Sequence, residues 1–467
     1  MEGSQFGMAA RLKVSVVVDP QREAEFDRAF ELLRELVDWS AADREFSVRG
    51  NSVYTTSVVL WMLVSQRMNP EGSLESAVKR LIETQPDFLP RNKRITEGTL
   101  SEGTGSYSRA RSRLPQGAAE WFAQRVSQSL IEASQPSFDG RRVYLLDGTT
   151  LTLAPEPALR RAFPPATNQY GAGVWPLALL VVVHEMASGA ALLPAVGAKC
   201  GPHAVSETAL VPDLFAQLPD DGIVMADAGF GIFAVAWEAQ LIERDFTFRM
   251  TDSRFQALRR KATVVSSGSN STTYSLTWCP SAKDRQTHPE IPPDAAIAVR
   301  LHEIHIHDTL TLFLVTSLPH SADALSDLYL KRGDIEIDIR NLKVVLNTEH
   351  QTARSVEMFH KELLTSLVAY NLVTQFRRQA AALIAEPPRR MSFKRTWTTF
   401  NIFLWSSSAH DAPQWRAKFR KALTIASHDK LPNRPGRSFE RETYPRRPKS
   451  NQFKKRKPKL AADKPDS

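Results

Sequence analysis

The stretch from Tyr329 to Lys343 reads Tyr-Leu-Lys-Arg-Gly-Asp-Ile-Glu-Ile-Asp-Ile-Arg-Asn-Leu-Lys and spaces a phenol, a carboxylate and two cations along what is read as one helix. At about 100° per residue, Tyr329, Arg332, Glu336 and Lys343 fall within an arc of roughly 60°. Leu328, Ile335, Ile339 and Leu342 form an adjoining apolar stripe that faces a core, which leaves Lys331, Asp334, Asp338 and Asn341 on the water side. The polar quartet therefore lies at the core margin, where an active-site wall would stand. An ordinary amphipathic helix whose Arg332 and Glu336 pair at i, i+4, for a few tenths of a kcal/mol, would carry the same pattern.

The elements around this stretch change character along the chain. From about Arg22 to Ala133 the period is helical: Phe26, Phe30, Leu33 and Val37 recur on one face, Val53 to Met68 is apolar, and Ser73 caps a third helix. Tyr107, Arg109, Arg111 and Arg113 crowd a further helix that fits either a phosphate surface or a solvated face. After a linker at Pro136 to Gly140, strands are expected at Val143–Leu153, Val174–His184, Ala190–Val196, Ile223–Ala226 and Phe246–Met250, with helices at Ser206–Leu218 and Phe230–Glu243. Three strands, helix, strand, helix, strand is the order of an RNase H-like core. Alternating segments between Ser253 and Leu318 predict an all-β insertion, and a long helix follows from Val356 to Ala385 until Pro387-Pro388 ends it.

Tyr, two residues, Arg, three residues, Glu, six residues, Lys resembles the signature of the DDE-type transposases of prokaryotic insertion sequences. That family puts one Asp at the end of a first strand and another after a later strand; the matching positions are Asp147 in Tyr-Leu-Leu-Asp-Gly-Thr-Thr and Asp227 in Ile-Val-Met-Ala-Asp-Ala-Gly-Phe-Gly. The family also carries an insertion between its second Asp and its Glu, which the long interval from Asp227 to Glu336 accommodates. The resemblance implies that Asp147, Asp227 and Glu336 are the catalytic metal ligands for two Mg²⁺ ions, with Mn²⁺ able to substitute, and that Asp147 is shared between them. Two-metal phosphodiester chemistry activates the attacking oxygen with one ion and stabilises the leaving oxygen with the other. It further implies that Arg332 and Lys343 hold phosphate oxygens and that Tyr329 donates to a phosphate or packs on a sugar. Many relatives have Arg after the second Asp. Here Ala228 stands there, and Arg254 is the nearest candidate to supply the missing cation.

Composition agrees with a polyanionic partner. The 467 residues carry a formal charge of +9, and 42% are apolar. Cys200 and Cys279 are too few for a cysteine metal site or a disulfide framework, and fit a reducing, cytoplasmic setting. Val14–Val18 is too short for a signal core, and Val174–Val183 falls short of the ~20 residues that span a bilayer, so no membrane association is expected. His302, His305 and His307 beside Asp308 have the composition of a metal site, but in a strand His302 points away from the other two, which favours an exposed strand face. Trp278 fits a core position better than a base-stacking one.

The expected organisation is α/β: an N-terminal helical DNA-binding domain (1–135), an RNase H-like core in two parts (140–252 and 320–400) interrupted by a β-rich insertion (253–319), a C-terminal helical region (401–429) and a disordered basic tail (430–467). The function implied is transposition: binding terminal inverted repeats, metal-dependent cleavage and strand transfer into target DNA, by a homodimer in the synaptic complex. A nuclease without strand transfer and an inactive DNA-binding derivative are the alternatives.

Overall fold

The structure is a computed structural model that describes residues 20–46, 52–69, 72–86, 88–169, 171–219, 222–307, 310–346, 353–406 and 412–432. Val14–Val18, Asp308 and the tail from residue 433 onward lie outside the described residues. Helical periodicity at the N-terminus becomes α1 (Pro20–Leu36), α2 (Ser40–Glu45), α3 (Thr56–Met68), α4 (Leu74–Thr84), α5 (Lys93–Thr96), α6 (Gly105–Arg113) and α7 (Gln116–Glu132). Ser73 caps α4 as expected, accepting from the Ser76 amide. Every side chain of α3 is buried, because the helix is packed all round rather than on one stripe.

The strands are β1 (Val143–Thr152), β2 (Thr167–Asn168), β3 (Gly171–Ala172), β4 (Leu177–Glu185), β5 (Ala195–Ala198), β6 (Ile223–Ala226), β7 (Asp245–Arg249), β8 (Thr263–Ser267), β9 (Ser271–Trp278), β10 (Ile297–His307) and β11 (Leu310–Thr316). Nine of them form one sheet in the order β5-β4-β1-β6-β7-β11-β10-β9-β8, and β2 and β3 make a separate small hairpin. Within it, β4 runs antiparallel to both its neighbours, β5 and β1, whereas β1, β6 and β7 run parallel. The near-continuous apolar text of β4 suits a strand covered on both faces. The insertion is no separate layer: β11 pairs antiparallel with β7, so β8 to β11 extend the core sheet. Nor is the segment purely β, since it adds α11 (Asp252–Arg259) and α12 (Ala282–Thr287) to α8 (Pro157–Ala162), α9 (Val211–Phe215) and α10 (Phe233–Leu241) of the preceding stretch.

The C-terminal helices are α13 (Ala322–Leu330), α14 (Gly333–Leu346), α15 (Val356–Ala382), α16 (Phe393–Ser406) and α17 (Ala412–Ser427). The elements from α1 to α17 belong to one compact unit. Helix α15 is its spine, packing on α3, α7, α14, α16 and α17. Its buried Glu362 accepts from Arg67 of α3 at 2.6 Å and Arg111 of α6 at 2.7 Å. Tyr107 is equally buried, its hydroxyl 2.6 Å from Gln66 Oε1. Half of the arginine-and-tyrosine surface expected on α6 is therefore internal, and only Arg109 and Arg113 remain exposed. The reason is a charge partner on a helix some 250 residues downstream, which α6 cannot announce.

Candidate active site

Parallel register brings the two sequence-predicted aspartates together. Leu146 of β1 lies beside Ala226 of β6, so Asp147 and Asp227 are the next residues on neighbouring strands. β6 ends there while β1 continues against β4. Asp147 Oδ1 accepts the Gly148 amide at 2.8 Å, and Asp227 Oδ1 accepts the Gly229 amide at 2.8 Å, which turns the chain away from the sheet. Gly231 then passes so near Arg249 that a β-carbon there would stand 2.2 Å from the Arg249 carbonyl oxygen. Only glycine admits that approach.

Glu336 reaches the aspartates through Arg332. One guanidinium nitrogen of Arg332 lies 3.8 Å from Asp147 Oδ2 and another 3.2 Å from Glu336 Oε1. The stretch read as a single helix is two: α13 stops at Leu330, and Arg332 and Ile335 donate to carbonyls three residues back, at 2.8 and 3.0 Å, before α14 proceeds. Gly333, a poor helix former, sits at this junction. The tight turn aims Arg332 at β1. Tyr329 is buried at the end of α13 and lines a small cavity of about 190 Å³ with Arg249 and Arg332. Burial pushes its phenol up to about 12. Lys343, half-buried, stands two turns beyond Glu336, about 10 Å along the axis. It is thus on the same helix but not among the acids.

The apolar stripe of Leu328, Ile335, Ile339 and Leu342 is buried as expected. The opposite face departs from the expectation of a water side. Asp338, expected in water, is wholly buried, 2.7 Å from Arg389 and 3.8 Å from Arg377, and Asp334 pairs with Arg389 at 3.2 Å. Helix α14 is sandwiched between the sheet and α15, so two of its faces are interior. Arg377 and Arg389 looked like part of a long helix and a Pro-rich break, and no local signal distinguishes them.

A further acid escaped sequence reading. The Glu207 carboxylate occupies the space where a β-carbon of Gly148 would stand, with atoms 2.2 to 2.6 Å from that point. The glycine of Asp-Gly-Thr was the one available hint. Burial raises the Asp147 carboxyl to about 6, the Gly148 amide and Arg332 oppose the shift, and Asp227 and Glu207 reinforce it. On the other side of Asp227, Arg254 donates to the Ala228 carbonyl at 2.7 Å, so a cation does stand beside the loop that lacks Arg after the second Asp.

Three carboxylates from separate elements are the hard oxygen donors that Mg²⁺ takes, and Asp147 beside Asp227 suits a shared ion. Among the described residues no three His, Cys, Asp or Glu side chains lie close enough to hold a metal ion as they stand. Glu336 is turned onto Arg332 instead. His302 is buried and bonded to Thr273, pointing away from the exposed His305 and His307. Trp278 is buried edge-on against Phe233, 5.5 Å between ring centres, as the core reading expected. No helix among the described residues is long and apolar enough to cross a membrane.

Residues 139–372 match the family model described as Transposase DDE domain. No curated protein matches the chain. Among solved structures the chain resembles the cryo-EM structure of a piggyBac transposase synaptic complex with hairpin DNA, with a TM-score of 0.37 and 10% identity over 90% of this chain and 88% of the other.

Proposed function

We infer that this chain, which belongs to the transposase DDE-domain family, is a metal-dependent DNA transposase that cuts at the terminal inverted repeats of its own element and joins the freed ends to target DNA. The Tyr-Arg-Glu-Lys spacing assigns it within the family to the prokaryotic insertion-sequence type. The observation that carries the reading is Arg332, which lies within ion-pair distance of both Asp147 and Glu336 while Asp147 adjoins Asp227. The strand order β5-β4-β1-β6-β7, antiparallel then parallel, supports an RNase H-like core. With the domain limits proposed above, 253–319 extends that core and 1–135 supplies a helical DNA-binding face.

Asp147, Asp227 and Glu336 would supply the oxygens for two Mg²⁺ ions, or Mn²⁺ in their place. When bound, such ions activate an attacking oxygen and stabilise a leaving one. The chain's own residues do the rest. Glu336 leaves Arg332 and turns toward the aspartates, a side-chain movement on an exposed helix face. That frees the Arg332 fork for a non-bridging phosphate oxygen, which it binds with two donors, while Lys343 holds a neighbouring phosphate as a point charge. The Tyr329 hydroxyl, kept protonated by burial, donates toward the same backbone. In cleavage a water oxygen, losing its proton, forms a bond to phosphorus as the 3′ oxygen–phosphorus bond breaks and the 3′ oxygen takes up a proton; in joining, that 3′ hydroxyl loses its proton and its oxygen forms a bond to a target phosphorus as the target's own 3′ oxygen departs and is protonated. Two ends must be held together, which assigns the work to a pair of subunits.

The test is incubation with DNA carrying the inverted repeats that flank the coding region. Cleavage at the repeat ends in Mg²⁺, its loss in chelator, and joining of pre-cut ends to a plasmid are expected. Cleavage without joined product would reduce the protein to a nuclease. Absence of both, with ends still bound, would make it an inactive binding protein.

A further inference from the structure

Beginning just past the Asp227 loop, a groove of about 1390 Å³ runs between the core and the extended sheet, from Gly231 and Arg254 to Trp278 and α12. Its charged lining is lopsided. Arg254, Lys261, Lys283, Arg285 and Arg300 face it against a single carboxylate, Asp284, and that carboxylate is occupied by the Ser281 amide and hydroxyl in the cap of α12. Arg254 is bonded to the Ala228 carbonyl and Arg300 to the Pro319 carbonyl. Lys261, Lys283 and Arg285 are exposed, and no ion pair engages them among the described residues. Ser275, Thr277 and Thr287 line the same groove. The aromatic floor is shut, since Trp278 is 5% exposed and wedged on Phe233.

Open cations with hydroxyl-bearing neighbours and no accessible ring recognise phosphates and not bases. We propose that this groove seats the phosphodiester backbone of a DNA strand leading to or from the Asp227 side of the active site. The claim rests on the transposase reading and deepens it: it assigns a DNA contact to the 253–319 segment through a charged track instead of through Trp278. The strand comes from one of two sources, the DNA flanking the element's end or the target, and both offer the same phosphate chemistry.

The experiment compares the wild type with Lys261→Gln/Lys283→Gln/Arg285→Gln, three exposed positions outside the acidic site, and with a charge-matched control outside both the groove and residues 1–135, Lys394→Gln/Arg395→Gln/Lys421→Gln. Anisotropy titrations with duplex and single-stranded oligonucleotides over a range of KCl give log K against log[salt]. Three lost phosphate contacts should flatten the slope by about 2 to 3, with no such change in the control. In parallel, loss of cleavage on flanked ends with normal joining of pre-cut ends assigns the groove to the flank; the reverse assigns it to target DNA. An unaltered slope, or an equal flattening in the control triple, overturns the proposal. If the wild type cuts no DNA, the function reading fails while the slope comparison still judges the groove.

Discussion

Arg332 Nη1 stands 3.8 Å from Asp147 Oδ2, an ion pair between a helix junction and the middle of a strand nearly two hundred residues upstream. The same side chain lies 3.2 Å from Glu336 Oε1, so one guanidinium links a carboxylate of β1 to one of α14. In the proposed mechanism a divalent ion would take the place of Arg332 as the partner of Glu336.

Asp147→Asn, Asp227→Asn and Glu336→Gln should each lower Mg²⁺-dependent cleavage by on the order of 10³-fold, the rate equivalent of several kcal/mol of transition-state stabilisation. Binding of the repeat ends should hold. Quenched-flow cleavage and gel shift on the same preparations check this; near-wild-type cutting by any of the three would remove that residue from the metal site.

Gly148→Ala should fold normally but displace the Glu207 carboxylate, since the added β-carbon meets the movable end of a glutamate and not backbone. Its effect on cleavage should match that of Glu207→Ala, and the double variant should be no worse than either. Additive losses in the cycle would show that the glycine serves something other than room for Glu207.

Asp338→Ala should destabilise the fold by about 3–5 kcal/mol, because it takes from the interior Arg377 its carboxylate and leaves Arg389 only the more accessible Asp334. Asp334→Ala, which removes a more accessible partner of Arg389, should cost about 1 kcal/mol or less. Urea midpoints measured at neutral pH separate the two. Equal costs would contradict the burial difference.

Stability should fall on acidification below pH 6.5. His184 is fully buried edge-on to Tyr370, and desolvation lowers its imidazole to about 4; the buried His302 is lowered to about 4 as well. The unfolded chain takes up these protons near 6.5 and the folded chain resists until about 4, so the contribution is complete above 6.5 and disappears as pH drops through that window. Each histidine adds up to about 1.4 kcal/mol per pH unit to the slope there. Denaturation of His184→Phe at a series of pH values should show the slope reduced by one proton; an unchanged slope would mean that the ring is charged in the fold.

Local text determined much of this protein. Period two and period 3.6 located β1, β6 and α15 to within a few residues, since burial of an alternating or helical face is a property of neighbours in sequence. The spacing from Tyr329 to Lys343 and the two Asp-containing segments were legible for the same reason. Tertiary structure alone decided what each charge does. Asp338 and Arg111 carry the same kind of side chain as Glu336 and Arg109, yet the first two are interior and paired while the latter two are exposed. Their partners, Arg377, Arg389 and Glu362, come from distant helices, and a charge is buried only where such a partner offsets its desolvation. The break at Gly333, the arrival of Glu207 over Gly148 and the joining of the insertion to β7 likewise depend on which distant surfaces meet.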